Sequence, residues 1–223
     1  AALAAPWMTF PNPRVGCVIV NDAGEIVGEG AHQRAGEAHA EANALKQAGA
    51  AALGATAYVT LEPCAHTGRT GPCAQALIDA GVSHVVIGCA DPNPVAAGGA
   101  ELLRAAGVTV EFCESPAAVA VNEHWLHAMR VGRPFVTLKL ATSLDGRVAA
   151  ADGVETSISN AASRVAVHAL RARVDGVLVG TNTALVDDPQ LNVREVPCET
   201  QPARFVMGRR VLPSHLALFK GAD

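Results

Sequence analysis

Aromatic residues make up only 4% of this 223-residue chain, and its formal net charge is −4 at pH 7. Proteins that bind single-stranded nucleic acid usually stack bases on aromatic side chains, and those that bind a duplex need a clustered basic face. We therefore expect no nucleic-acid partner. The sequence also lacks the run of roughly 18–20 apolar residues that a membrane-spanning helix needs. Residues 1–8 lack the charged region and cleavage site of a secretory signal, so we expect no membrane association.

The six cysteines lie at positions 17, 64, 73, 89, 113 and 198. A chain of this length can bury a hydrophobic core without disulfide bonds. We therefore expect a reducing, cytoplasmic setting. In this interpretation Cys64 and Cys73 bind metal, and the other cysteines are mostly small buried hydrophobes.

Strand-like and helix-like patterns alternate along the chain. The first half predicts strands at residues 15–20, 25–28, 56–61, 83–89 and 108–112, with helices at 37–48, 72–80, 99–106 and 117–129. This alternation favours an α/β fold, a layered sheet with helices on both faces. The pattern pauses near Gly132 and resumes with strands at 135–140, 174–180 and 203–207 and a helix at 160–173. The boundary placed there gives domains 1–131 and 132–223.

A set of four residues predicts a zinc site. His39, Cys64 and Cys73 supply an imidazole and two thiolates, which fill three corners of a tetrahedron and leave the fourth for a water molecule. Glu41 is not needed as a ligand and is available to shuttle protons. A His-x-Glu followed by Pro-Cys and a second Cys is typical of zinc nucleobase deaminases. The predicted helices place the site at helix N-termini, where the helix dipole favours the thiolate.

The spacing of the two cysteines is unusual, and one alternative interpretation of the site remains open. Eight residues, 65–72, separate the cysteines, where the common deaminase signature has two. A structural zinc site or a redox pair of thiols is the alternative interpretation, with His66 as the candidate fourth ligand.

Several polar residues near these motifs are candidate substrate contacts. Asn12 and Asn93 each occupy a Pro-Asn-Pro turn, where they either read the edge of a base or only shape the turn. His32 and Arg69 are candidate ligands of a phosphate or ribose, with solvated surface positions as the alternative.

The second half carries a weaker set. Lys139 is predicted within an apolar strand, where an amine is costly unless it reaches a partner or ligand. The string GTNT at residues 180–183 offers backbone donors to a phosphate, with a plain turn as the alternative. Arg171 and Arg194 are candidate phosphate ligands, because a guanidinium group matches phosphate in a bidentate way. The alternative for both is an ordinary surface arginine.

The motifs together resemble one family. In the first half they are TFPNP at 9–13, HQRAG at 32–36, HAE at 39–41, TLEPCAHTGRT at 60–70, PC at 72–73 and DPNP at 91–94. In the second half they are LKL at 138–140, SLDGR at 143–147, VHALR at 167–171 and DDP at 187–189. This combination resembles the bifunctional deaminase/reductase of riboflavin biosynthesis over nearly the whole chain. The loop between the cysteines is its most specific element.

The resemblance implies a cytidine-deaminase-like three-layer domain followed by a dihydrofolate-reductase-like α/β domain. The first would hydrolyse the exocyclic amine of 2,5-diamino-6-ribosylamino-4(3H)-pyrimidinone 5′-phosphate and release ammonia. The second would use NADPH to reduce the ribosyl group of the product to a ribityl chain. We expect the second domain to be incomplete, because the chain stops before a Gly-rich loop of the family. We also expect a homo-oligomer.

The resemblance also implies roles for individual residues. Zinc ligands fall on His39, Cys64 and Cys73, the proton shuttle on Glu41, and a second catalytic-site residue on Lys139. Substrate contacts of the first domain are expected at Asn12, His32, His66, Arg69 and Asn93, and those of the second at Glu155, Arg171, Leu191 and Arg194. NADP contacts are expected at Ala141, Ser157, Thr183 and Asp187. The chain departs from the family pattern at Ser157, where a Trp is usual, and at Glu155, where a small Ser is common.

Two other functions remain as alternatives. One is a deaminase that acts on a free base or on a tRNA adenosine. The other is a non-enzymatic binding module in which zinc only supports folding.

Overall fold

A computed structural model describes residues 1–2, 9–66 and 71–220 of the chain. The chain divides into two compact units, Ala1–Val136 and Thr137–Asp223. None of the helices in the described ranges is long and apolar enough to cross a membrane.

The first unit is built on a five-stranded sheet. In chain order its strands are β1 Gly16–Val20, β2 Ile26–Ala31, β3 Thr56–Val59, β4 His84–Ile87 and β5 Thr109–Phe112. Their spatial order is β2-β1-β3-β4-β5. Strand β1 is antiparallel to both neighbours, whereas β3, β4 and β5 run parallel. The carboxyl ends of β3 and β4 therefore meet at one edge, where ligand sites of such sheets usually form.

Three helices share a single core with this sheet. They are α1 Ala40–Ala48, α2 Cys73–Asp79 and α3 Gly99–Ala105, and a 3-10 turn, Gly49–Ala52, follows α1. The core is rich in alanine and valine, which allows close packing. A Cβ atom added to Gly30 of β2 would collide with the carbonyl oxygen of Ala40. Glycine in β2 thus lets the start of α1, next to His39 and Glu41, lie directly on the sheet.

The prediction of one continuous helix at 117–129 is wrong. The structure has two helices, α4 Pro116–Val121 and α5 Glu123–Val131, which meet at the buried Asn122. The Asn122 side chain accepts the Arg14 backbone N–H and donates to the Arg14 carbonyl oxygen, both at 2.8 Å. An asparagine side chain that bonds to distant backbone in this way competes with helical geometry. Helix α5 then packs Leu126 against Leu61 and Cys89, which follow β3 and β4.

The second unit holds a parallel pair of strands. Its elements are α6 Ala161–Arg171, β6 Gly176–Gly180, α7 Thr181–Val186 and β7 Ala203–Met207, with a 3-10 turn at Ala217–Phe219. Strand β6 pairs with β7. Helix α7 occupies the segment interpreted from the sequence as a phosphate-binding or plain turn. The sequence thus missed this helix.

The predicted strand at 135–140 is also wrong. This segment is irregular and exposed, and the Leu138 side chain is 80% accessible to solvent. A strand needs a neighbour for its backbone groups, and neither sheet in the described ranges pairs with this segment. Lys139 is therefore exposed rather than held within an apolar strand.

Candidate active site

The three predicted metal ligands come together in the first unit. One ligand atom from each of His39, Cys64 and Cys73 lies within 4.8 Å of the other two. The Nδ1 atom of His39 is 3.7 Å from the Cys64 sulfur and 3.3 Å from the Cys73 sulfur. Tetrahedral zinc with bonds of about 2.0 Å to nitrogen and 2.3 Å to sulfur would separate such ligand atoms by about 3.5 Å. The donor set and its spacing therefore fit zinc.

Three elements bring these ligands to one place. His39 is the N-cap residue of α1, Cys64 follows β3, and Cys73 is the first residue of α2, after Pro72. The predicted start of α1 at residue 37 is therefore too early by three residues, so His39 caps the helix and only Glu41 lies in its first turn. The Cys73 backbone N–H also donates to the Cys64 sulfur at 3.4 Å. A helix N-terminus thus supports the thiolate form.

The two thiols have pKa values displaced in opposite directions. A hydrogen bond from the Cys73 thiol is the main cause that lowers the pKa of Cys64 to about 4, with His39 contributing. The same bond, together with burial, raises the pKa of Cys73. Cys64 is therefore already a thiolate, and a cation that binds there displaces the proton of Cys73.

Glu41 lies beside the ligands and is only 2% exposed. Within the described ranges, its Oε2 atom is buried and has no hydrogen-bond partner. Burial raises the pKa of this carboxyl group above its ordinary value. A buried carboxylate oxygen without a protein partner is costly unless it serves a ligand or a reaction. Glu41 is thus placed to exchange protons with a bound molecule.

A cavity of about 390 Å³ opens onto these groups. Its walls include four of the substrate contacts predicted for the first domain: Asn12, His32, His66 and Asn93. The fifth, Arg69, lies outside the described residues. His66 is not part of the cluster of metal-ligating atoms, so the structure does not support it as a fourth zinc ligand.

His32 and Asn12 form a hydrogen-bonded pair in the wall of this cavity. The His32 Nδ1 atom is 3.1 Å from the carbonyl oxygen of Ala38, which can only accept, so Nδ1 carries the proton. Its Nε2 atom then accepts from the Asn12 side-chain nitrogen at 3.1 Å. The amide oxygen of Asn12 is left for a donor group on a ligand.

Among the cavity residues that the sequence analysis did not name as contacts are Glu62, Asp91 and Trp125. Burial raises the pKa of Asp91, and the nearby Glu62 carboxylate adds to that effect. Glu62 and Asp91 belong to the TLEPC and DPNP strings. Their position two residues before Cys64 and Asn93 was therefore the signal that could have identified them.

Three predicted substrate contacts of the second unit lie around one loop. The Arg171 guanidinium donates to the Asn192 carbonyl oxygen at 3.1 Å, and the Arg194 backbone N–H donates to His168 Nδ1 at 3.3 Å. Burial and the charge of Arg194 lower the pKa of Arg171. Leu191 is buried and has a positive φ of 53°. A pair of mutually repelling guanidinium groups favours an anionic ligand.

The remaining predicted residues of the second unit lie in α7 or in irregular segments of the chain. Thr183 lies in α7 and Asp187 caps its end. Lys139, Ala141, Glu155 and Ser157 lie in irregular chain, and all but Ala141 are exposed. Within the described ranges, no side-chain hydrogen bond connects these four residues to α7. The structure therefore does not assemble a complete cofactor site from them.

The fold and the metal ligands of the first unit are those of the cytidine-deaminase class of zinc proteins, and a second α/β unit follows in the chain. Comparison with known proteins agrees: residues 1–89 match the zinc-binding region of cytidine and deoxycytidylate deaminases, and residues 134–223 match the RibD C-terminal domain. The chain belongs to the RibD family of riboflavin-biosynthesis proteins. The resemblance inferred from the motifs and the prediction of a zinc cofactor are thereby confirmed.

Three relatives illustrate the similarity. A riboflavin biosynthesis protein RibD from Corynebacterium ammoniagenes is 48% identical over 217 residues, which cover 94% of this chain and 64% of that protein. The solved structure of Acinetobacter baumannii RibD has a TM-score of 0.91 and 46% identity, covering 99% of this chain and 64% of its own. A Thermotoga maritima diaminohydroxyphosphoribosylaminopyrimidine deaminase/5-amino-6-(5-phosphoribosylamino)uracil reductase has a TM-score of 0.90 and 37% identity, covering 99% and 64%. The chain thus spans slightly less than two thirds of the length of these relatives.

Proposed function

We propose that the first unit is a zinc-dependent deaminase of 2,5-diamino-6-ribosylamino-4(3H)-pyrimidinone 5′-phosphate. The products would be 5-amino-6-(5-phosphoribosylamino)uracil and ammonia. One observation carries the proposal: three converging zinc ligands lie beside a buried carboxylate whose Oε2 atom has no partner in the described ranges. Glu41 and two of the ligands, His39 and Cys64, line a cavity of about 390 Å³, which is large enough for a pyrimidine nucleotide.

The residues divide the chemistry between them. His39, Cys64 and Cys73 would hold zinc, which supplies a Lewis acid that brings the pKa of a water molecule toward about 7. Glu41 takes one proton from the attacking water and delivers it to the ring nitrogen, and then takes the second proton from the new hydroxyl group and delivers it to the leaving amine. The water oxygen forms a bond to the ring carbon that carries the exocyclic amine. The carbon–nitrogen bond to that amine then breaks, and the products are the pyrimidine with a carbonyl group at that carbon and ammonia. Asn12, His66 and Asn93 line the walls and are proposed to orient the ring, with His32 supporting Asn12.

The identity of the substrate rests on the family and on the cavity. The Thermotoga maritima relative is named for this deamination, and we carry the substrate over to this chain as a proposal. Arg69 is proposed to contact the phosphate. A deaminase of tRNA adenosine is disfavoured, because the chain has a net negative charge and few aromatic residues.

A panel of substrates tests this proposal. We expect kcat/KM for ammonia release to be about 10⁴-fold or more higher for the phosphorylated diaminopyrimidine than for cytosine or for adenosine in tRNA. The reason is that polar groups of the cavity that hydrogen-bond to one substrate are left unpaired by another. The same compound without its phosphate is the matched control for the phosphate contact. Comparable kcat/KM values for cytosine or tRNA would contradict the proposed substrate.

For the second unit we propose the NADPH-dependent reduction of the ribosyl group. The support is the family match over residues 134–223 and the grouping of Arg171, Leu191 and Arg194 around one loop. Ala141, Ser157, Thr183 and Asp187 are proposed NADPH contacts. Glu155 is a proposed substrate contact and Lys139 a proposed catalytic-site residue.

NADPH binding tests this half. We expect the 223-residue chain to bind NADPH at least tenfold more weakly than a chain extended to the full length of its relatives, because only two of the four proposed contacts, Thr183 and Asp187, lie at α7. Titration calorimetry with both chains measures the difference. Equal affinity would show that the residues present here suffice.

Three further proposals accompany these functions. We propose functional domains of 1–131 and 132–223, a cytoplasmic location and a homo-oligomer. Sedimentation of the purified chain over a range of concentrations tests the last, and a monomer at all concentrations would contradict it.

A further inference from the structure

The Glu62 carboxylate accepts three hydrogen bonds, which connect the turn that carries Cys64 to residues 91–100. Its Oε1 atom accepts the backbone N–H groups of Gly98 at 3.2 Å and Ala100 at 3.0 Å. Its Oε2 atom accepts the backbone N–H of Asp91 at 3.3 Å. Its own backbone N–H donates to the Cys89 carbonyl oxygen at 2.9 Å. A carboxylate that accepts several backbone N–H groups makes strong, directional contacts.

The same two segments are in direct contact elsewhere. The Ala65 backbone N–H donates to the Ala96 carbonyl oxygen at 3.0 Å. A Cβ atom added to Gly99 would collide with the carbonyl oxygen of Pro63. The turn that carries the zinc ligand Cys64 is therefore held against residues 91–100 along its whole length.

Residues 91–97 in turn fix the side chain of Asn93. The Asp91 carboxylate accepts the Asn93 backbone N–H at 2.8 Å, and the Asn93 side-chain oxygen accepts the Val95 backbone N–H at 3.1 Å. The amide nitrogen of Asn93 is thus the group left for a ligand in the cavity. The bond from Asp91 to Glu62 fixes the start of this turn relative to Cys64, and the bond from Ala65 to Ala96 holds its other end.

We propose that Glu62 is a positioning residue of the deaminase pocket. By holding the backbone at Asp91, Gly98 and Ala100, it sets the distance between the zinc ligand Cys64 and the substrate-facing amide of Asn93. Glu62 lies in the cavity wall but is not part of the metal-ligand cluster, and its carboxylate oxygens bond to backbone N–H groups, so it acts through the 91–97 turn. This inference rests on the proposed deaminase function for its kinetic test, but its structural part stands without it.

The test variant is Glu62→Gln, whose amide keeps one acceptor oxygen but turns an N–H donor toward one of the three backbone donors. We expect KM for the phosphorylated diaminopyrimidine to rise about tenfold, the effect of roughly one lost hydrogen bond. We expect kcat to fall less than about threefold, because the zinc ligands and Glu41 are untouched, and the zinc content to stay at the parent value. Glu101→Gln, the same change at an exposed position of α3, is the matched control and should leave KM unchanged.

A double-mutant cycle separates positioning from general stabilisation. Asn93→Ser keeps an oxygen that can close the turn and removes the amide donor. If Glu62 acts through Asn93, the double variant Glu62→Gln/Asn93→Ser should have a KM within about twofold of Asn93→Ser alone. Multiplied effects on KM, or an unchanged KM in Glu62→Gln, would overturn the proposal.

Amide hydrogen exchange gives a readout that does not require activity. Exchange at residues 91–100 should accelerate in Glu62→Gln and not in Glu101→Gln, while exchange in α1, residues 40–48, stays unchanged. Unchanged exchange at 91–100 overturns the proposal whether or not the parent chain is active. If the parent releases no ammonia from the phosphorylated diaminopyrimidine, the proposed function fails and the exchange result still decides the role of Glu62.

If Glu62→Gln does not fold, Glu62→Asp replaces it in these measurements. Loss of fold or zinc in both variants would show a general structural role and would overturn the proposal.

Discussion

Glu41→Gln is expected to lower kcat for ammonia release by about 10²–10⁴-fold, the usual contribution of a positioned general acid–base group. Glutamine has the shape of glutamate but cannot take a proton from the attacking water. Glu41 is buried beside the zinc ligands without itself being needed to bind the metal. Zinc content and the unfolding temperature should therefore stay near the parent values.

The matched control for this change is Glu101→Gln, which alters an exposed carboxylate of the same unit. Kinetics and zinc content measured on both variants separate a chemical role from a change in net charge. Activity of Glu41→Gln at the parent rate would refute the proton-shuttle role and favour the zinc-stabilised binding module. A fall in activity that follows a fall in zinc content would instead place Glu41 among the groups that hold the metal.

The second large effect is expected for Cys64→Ser. A neutral hydroxyl group binds zinc far more weakly than a thiolate, and Cys64 is already deprotonated in this cluster, with a pKa lowered to about 4 by the hydrogen bond from Cys73. We expect zinc to fall well below one per chain and kcat/KM for deamination to fall by about 10³-fold or more, as zinc supplies the activated water. The unfolding temperature should also fall, because a ligand that binds only the folded state stabilises it.

Cys113→Ser makes the same chemical change at an exposed cysteine away from the cluster and should retain zinc, activity and stability. Metal analysis of both variants, followed by the deaminase assay with and without added zinc, measures the effect. Full zinc content in Cys64→Ser would contradict its role as a ligand. Retained zinc with lost activity would point to a reactive thiol instead.

The sequence predicted the first unit well because its signals are local and redundant. The hairpin β1–β2, the helix after His39 and the order of the remaining strands follow from apolar periodicity and from glycine and proline at the ends of elements. The zinc ligands could be assigned because the three residue types and the Pro63 before Cys64 restrict the chemistry to a few possibilities. The break at Asn122 could not be predicted, because it depends on a bond to the backbone of Arg14, which is 108 positions away in the chain.

The second unit shows the opposite case. Residues 135–140 have the composition of a strand, but a strand exists only where a neighbour pairs with it, and the alternation of residues does not encode that neighbour. Helix α7 was missed because Gly180 and three polar residues after it are typical of a turn. Among the cavity residues, the TLEPC string could have marked Glu62 as a residue of the site, but its role could not be predicted, because only the folded chain brings together the three backbone N–H groups that it accepts.

The bond between Asn122 and Arg14 has a consequence for the order in which the site forms during synthesis. All three zinc ligands lie within the first 73 residues, whereas the side chain that anchors the backbone next to Asn12 is added nearly fifty residues later. Chain segments fold as they leave the ribosome, the N-terminal ones first. A nascent chain therefore has all three metal ligands before it has the side chain that anchors the backbone near Asn12, so this part of the cavity wall is fixed only after the metal ligands are present.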